Sequence, residues 1–240
     1  MYAYLVLVSN ITFTGDGASH GLLDDPLLSS LEPHRSDGTY GSMMGCAHGL
    51  FELIPSICRF ASTRMQEIPY DVVSTESLAQ YSQLEQKIRT WTVPGDLTCE
   101  GYWFEQLSAA AHIYQHALLL FLHTAFLCSS TVDDRAVSWL QPEIDTIFLL
   151  AQQLLTAEDP SPLANTLLWP TIIMGSCLRR PEQQRLLCTT LMNHNLAITD
   201  KAALLLDRLW TEGTENGNPL FGPIGLKFVM DKYRIHICMA

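Results

Sequence analysis

The chain has 240 residues, of which 48% are hydrophobic and 16% charged, and its net charge is −11. The length suits one large core or two small ones, and a mean hydropathy of +0.12 suits closely packed helices with few solvated faces. With 14 Lys and Arg against 25 Asp and Glu, the chain lacks the basic face that phosphate contacts need, which argues against direct DNA binding by this chain.

Residues 2–9 form a short apolar element with no cap before it, as a helix cut short would. Residues 14–41 are rich in Gly, Asp, Ser and Pro, without periodicity, and read as a long loop, partly disordered. From about residue 42 a helical pattern begins, with Leu50, Leu53, Ile54, Ile57 and Phe60-Ala61 at helical spacing; Pro55 is expected to kink it. A second helix is predicted over 75–91, with Leu78, Tyr81, Leu84, Ile88 and Trp91 on one stripe, ended by Val93-Pro94-Gly95-Asp96. The third, over 100–129, is the longest and most apolar. The next runs over about 133–157 and opens near Asp133-Asp134, although Pro142 inside it points to a later start.

Asp159-Pro160-Ser161-Pro162 signals a further helix start, and that helix carries Trp169-Pro170. Pro181 restarts the chain as a helix to about residue 195, and Thr199-Asp200 caps another that runs through Trp210. A turn-rich loop over 213–223 precedes a last segment with Leu226, Val229, Met230 and Ile235. There is no strand alternation, internal repeat or Gly-rich phosphate loop. The predicted fold is all-α, an antiparallel array of eight or nine helices forming a single helical domain over 1–240.

The seven cysteines stand singly, with no C-x-x-C from which to build a zinc site, and suit buried thiols in a reducing compartment. The longest apolar run, 117–128, is interrupted by His123 and falls short of a membrane span. Neither a secretory signal nor a metal or cofactor motif is evident.

Several segments resemble, in order, the fungal-specific transcription factor domain. Residues 40–54, continued by 57–61, resemble its "yG…LF.LI..I..LA" helix. Residues 84–91 resemble "L…L..W", and 111–120 resemble "A..iY..A.lLyL". Residues 160–185 contain Leu167-Leu168-Trp169-Pro170 and Arg185 and resemble "p…LLWPlfiaG.ea….R". Residues 206–210 with Val229-Met230 resemble the closing "vW…vM". The resemblance covers about residues 40–235. It implies a helical regulatory domain that senses metabolites, controls activity and contacts the transcription machinery. The chain is expected to be nuclear or cytoplasmic and to act through protein partners and a small-molecule metabolite, or, given its high apolar content, as a homodimer. The family's Zn2Cys6 cluster, basic linker and coiled coil are not in this sequence, nor are the first helices of its regulatory domain. The chain is therefore expected to be a fragment, a gene that lost its front, or a repurposed fold.

Little else looks like chemistry. Glu105, His112, His116 and His123 lie at offsets 7, 11 and 18 along the third helix. At about 100° per residue all four project within about 20° of one line, a polar stripe on an apolar helix. The stripe reads as a solvated face or as histidines satisfied under a neighbouring helix. Its sharper reading is the wall of a pocket for a polar ligand, with the nearby aromatics Tyr102, Trp103 and Tyr114 stacking on a flat metabolite. His112 and His116 could share a metal only with ligands from another helix. Gly45-Cys46-Ala47-His48-Gly49 has the outline of a nucleophile elbow, but Ala47 stands where the nucleophile should.

The sequence therefore points to a non-catalytic regulator. The alternative is an enzyme or ligand carrier of fungal secondary metabolism on the same fold, using His112, His116 and Glu105 in acid–base roles.

Overall fold

In a computed structural model, residues 47–93, 102–131, 133–155, 167–193, 196–212, 214, 217 and 219–235 are described. The predicted elements at 2–9 and 14–41, and the helix start at 159–162, lie outside them. Among the described residues the fold is all-α, with nine helices. They are α1 (His48–Phe51), α2 (Ile54–Glu67), α3 (Thr75–Arg89), α4 (Tyr102–Leu127), α5 (Asp134–Leu155), α6 (Leu168–Ser176), α7 (Pro181–Asn193), α8 (Ala197–Thr211) and α9 (Gly222–Tyr233).

Pro55 does not kink a helix; it opens one. It sits in the first turn of α2, where its missing N–H is not needed, and separates that helix from the single turn of α1. α2 buries Ile54, Ile57, Phe60 and Ala61 and ends in a 3₁₀ turn, Ile68–Tyr70. α3 starts at Ser74, whose Oγ accepts the Ser77 N–H at 3.1 Å. Its inner stripe is Ser77, Tyr81, Leu84 and Ile88, whereas Leu78 is exposed. The predicted stripe is rotated at its start because the Ser77 hydroxyl donates to Glu67 Oε1 at 2.8 Å and turns inward.

α5 begins at Asp134, with Asp133 Oδ1 accepting the Ala136 N–H at 2.8 Å, and it runs through Pro142. The cap fixes the early start that Pro142 had argued against. Similarly, α8 starts at Ala197, two residues before the expected Thr199-Asp200 cap. The Thr199 hydroxyl instead donates back to Leu196 O at 2.8 Å.

α4, at 26 residues and about 39 Å, is the hub. Its side chains from Ala117 to Ala125 are all buried, because α1, α2, α3, α5, α6 and α9 all pack on it. Contacts fix directions. His123 meets α3 at Tyr81 and α5 at Trp139, while residues 115–116 meet the opposite ends, Ile88 on α3 and Glu143 on α5. Both neighbours therefore run antiparallel to α4. α6, α8 and α9 pack together on the far side, where Trp169 is stacked near Tyr114 (6.1 Å) and edge-on to Phe121 (5.5 Å). One buried apolar cluster joins Ala47 to Val229. No helix among the described residues is long and apolar enough to cross a membrane.

Candidate functional site

The histidine stripe faces the seam where α3 and α5 meet α4. α3 contributes Tyr81, Glu85 and Arg89, one turn apart, and α5 contributes Trp139 and Glu143, also one turn apart. Antiparallel packing sets these against the stripe at successive heights.

His123 lies deepest, 1% exposed. Its Nδ1 shares a 2.9 Å hydrogen bond with the Tyr81 hydroxyl, and its ring lies 4.5 Å from that of Trp139. Burial pushes its pKa down to about 4, against the weaker upward pull of Glu85 and Glu143, so the imidazole is neutral at neutral pH. Burial likewise pushes the Tyr81 phenol upward, and it keeps its proton.

One turn or two toward the N-terminus of α4, the seam becomes ionic. His116 Nδ1 meets Glu143 Oε2 at 2.5 Å, Glu143 Oε1 meets Arg89 Nη2 at 3.2 Å, and Arg89 Nε donates to Glu85 Oε1 at 3.0 Å. Burial acts on the Glu143 carboxyl to raise its pKa. The hydrogen bond and charge of His116, followed by the charge of Arg89, outweigh that and hold it below its ordinary value. The chain of charges opens outward: the Arg89 side chain is 49% exposed, His116 25% and Glu143 11%.

His112 is bonded through Nδ1 to Gln115 Oε1 at 3.2 Å. Gln115 in turn donates to Ile88 O at 2.7 Å and Trp91 O at 3.1 Å, tying the end of α3 to α4. Glu105 is exposed and stands about two turns, roughly 10 Å, from His112 along the helix. Tyr114 points into the apolar core against Phe51 (4.7 Å) and Trp169, away from the histidines. Tyr102 and Trp103 open α4; their side chains, like that of His48, and all of Gly45 and Cys46, lie outside the described residues.

The structure thus brings His116 and His123 into one seam, sets His112 beside it, and leaves Glu105 and Tyr114 elsewhere. Sequence reasoning missed Arg89, Glu85, Tyr81, Trp139 and Glu143. A signal existed for each helix. Tyr81, Glu85 and Arg89 repeat every fourth residue, and Glu143 is an acid inside the otherwise apolar face of Leu140, Ile144 and Ile147. Nothing local said that these two faces meet α4.

Chemically, His116 and Glu143 form a carboxylate–imidazole pair, the arrangement that orients a general base. Among the described residues, however, no group of three His, Cys, Asp or Glu could hold a metal ion, and no buried side-chain N or O lacks a hydrogen-bond partner. Burial pushes the thiols of buried Cys128 and Cys177 and of partly buried Cys58 up to between about 11 and about 12, which makes them poor nucleophiles.

A family model for the fungal specific transcription factor domain matches residues 1–230, extending the resemblance to the start of the chain. No curated protein and no solved structure matches. With nearly the whole chain under that one match, this protein belongs to the fungal specific transcription factor domain family and carries a transcription-regulator type of domain.

Proposed function

We propose that this chain regulates transcription in the nucleus through protein contacts rather than by catalysis. One observation carries this reading: the three histidines that could do acid–base work are each engaged inside the protein, His116 by Glu143, His123 by Tyr81 and His112 by Gln115. A working base needs a free face toward a substrate, and among these three only His116 keeps appreciable exposure near a charged partner. The test is deletion of the gene in the source organism, reading neighbouring-gene transcripts and metabolites from the same cultures. A fall in transcripts is expected. Steady transcripts with one accumulating intermediate would overturn the proposal.

A second reading rests on the open outer end of the seam. There Arg89 and His116 present a cation and an imidazole to solvent, held by a shared carboxylate. A polar, acidic metabolite would meet both, as a regulatory ligand or as a substrate of a fungal secondary-metabolite enzyme. Under this reading, His116→Ala abolishes the ligand response or the turnover while the helix content is kept. Wild-type behaviour of that variant would remove the seam from the functional account.

A further inference from the structure

The turn between α2 and α3 is a second place where the molecule is built for contact. Residues 68–73 are all exposed, and they read Ile68-Pro69-Tyr70-Asp71-Val72-Val73. Tyr70 is 78% exposed, Val72 55% and Ile68 50%, and Leu78 adds a further exposed apolar side chain. A tight turn that presents this many apolar side chains to solvent is uncommon unless something covers them.

The turn is not loose. Beneath it, Glu67 accepts from the Ser74 and Ser77 hydroxyls and pairs with buried Arg64. Arg64 also donates to Val72 O inside the turn and to Phe126 O on α4, both at 3.3 Å. Its guanidinium covers the Phe126 ring at 5.4 Å. Asp71 adopts the left-handed conformation at φ 52°, which closes the 3₁₀ turn and sets Tyr70 outward. A tyrosine and two β-branched residues fixed on an ionic clamp lose little conformational entropy on binding, the property that favours interface anchors.

Charge says what covers it. Between Thr63 and Ala79 the exposed charged residues are Asp71 and Glu76, both acidic, while Arg64 is buried in the clamp. Neither acid meets a basic side chain among the described residues. A second copy would bring like charges together in a chain of net charge −11, and an anionic membrane surface would repel the same acids.

Resting on the regulator reading above, we infer that the 68–78 turn is a docking knob for a protein partner that offers an apolar groove edged by lysine or arginine. The experiment places p-benzoyl-phenylalanine at position 70 of the full chain in the source organism and irradiates intact cells. Expected is a cross-linked species of discrete mass whose partner peptide contains apolar and basic residues, reduced about tenfold by Asp71→Lys with Glu76→Lys. The same double variant, with helix content unchanged, lowers target transcripts.

A cross-link to a second copy, to lipid, or one indifferent to the charge reversal overturns the proposal, as does no cross-link at all. If gene deletion lowers transcripts but the tip variant does not, the knob fails and the regulator reading stands. If deletion leaves transcripts steady, the regulator reading itself fails.

Discussion

Protonation of His123 is the perturbation whose size can be worked from the geometry. Its ring is buried under Trp139 and bonded to Tyr81, and its pKa falls from an ordinary 6.5 to about 4. Glu85 and Glu143 face it and favour the charged form, Arg89 opposes it, and burial dominates all three. Between those two pH values the unfolded chain binds a proton that the folded chain excludes, so stability rises with pH across the window. It is therefore full above about 6.5, falls as pH drops, and levels off below about 4. At 1.36 kcal/mol per pH unit, passing from about pH 7 to about pH 5 removes about 2 kcal/mol.

The assay is urea unfolding followed by far-UV circular dichroism, on the wild type and on His123→Gln, which keeps an acceptor near Tyr81. Other titrating groups are common to both proteins and cancel in the comparison. The wild type is expected to lose about 2 kcal/mol more than the variant between those two pH values. Parallel losses would show that His123 is not held neutral by burial and would refute the account of the seam.

Gly175 has no room for a side chain: a Cβ there would stand 2.7 Å from Leu206 Cδ1 and 2.9 Å from Leu187 Cδ2, both buried. Gly175→Ala is therefore expected to lower stability by about 1 kcal/mol in a thermal melt, and Gly175→Val by more. The indole N–H of Trp210 donates to Gly175 O at 2.9 Å; Trp210→Phe should cost about 1–2 kcal/mol in urea unfolding. Bonds from Ser74 and Ser77, then the bond and charge of Arg64, hold the Glu67 carboxyl at about 2 instead of 4.5. Its contribution is present above about 4.5 and lost as pH falls toward about 2, so amide exchange over 68–77 should accelerate on that descent in the wild type but not in Glu67→Gln.

How much of this was legible in the sequence follows from the range of each interaction. Helix existence and order came from apolar spacing. The histidine line at His112, His116 and His123 came from helical periodicity alone, and two of the three do share a seam. Local punctuation was read less well. Pro55 and Pro142 look alike in sequence, yet one opens a helix and the other sits inside one, because the Asp133 cap and packing on α4 outweigh a single lost backbone bond. What occupies the histidines was not legible. Glu143 lies 27 positions from His116, and Tyr81 lies 42 from His123. Those pairings exist only once α3 and α5 lie antiparallel on α4.

The seam also explains how an apolar helix finds one register. α4 is buried around most of its circumference, and packing alone distinguishes poorly between rotations of a greasy cylinder. Tyr81–His123 sits at one height and Gln115 with the end of α3 and His116–Glu143 at another, two turns away and on both neighbours, so together they fix rotation and translation. Polar pairs of this kind contribute little net stability, because desolvation offsets attraction, and removing His116 leaves the buried Glu143 charge behind. That reasoning gives a prediction with two parts. His116→Leu alone should destabilise by about 1–3 kcal/mol, since Glu143 then keeps only Arg89. His116→Leu with Glu143→Leu should recover most of that loss, yet show broadened amide resonances over α4 and α5 as alternative registers become populated. If the double variant is less stable than the single, the pair is a stabiliser in its own right. If it is stable and its spectrum stays sharp, the register is set by packing, and the seam must be explained by what its open end binds.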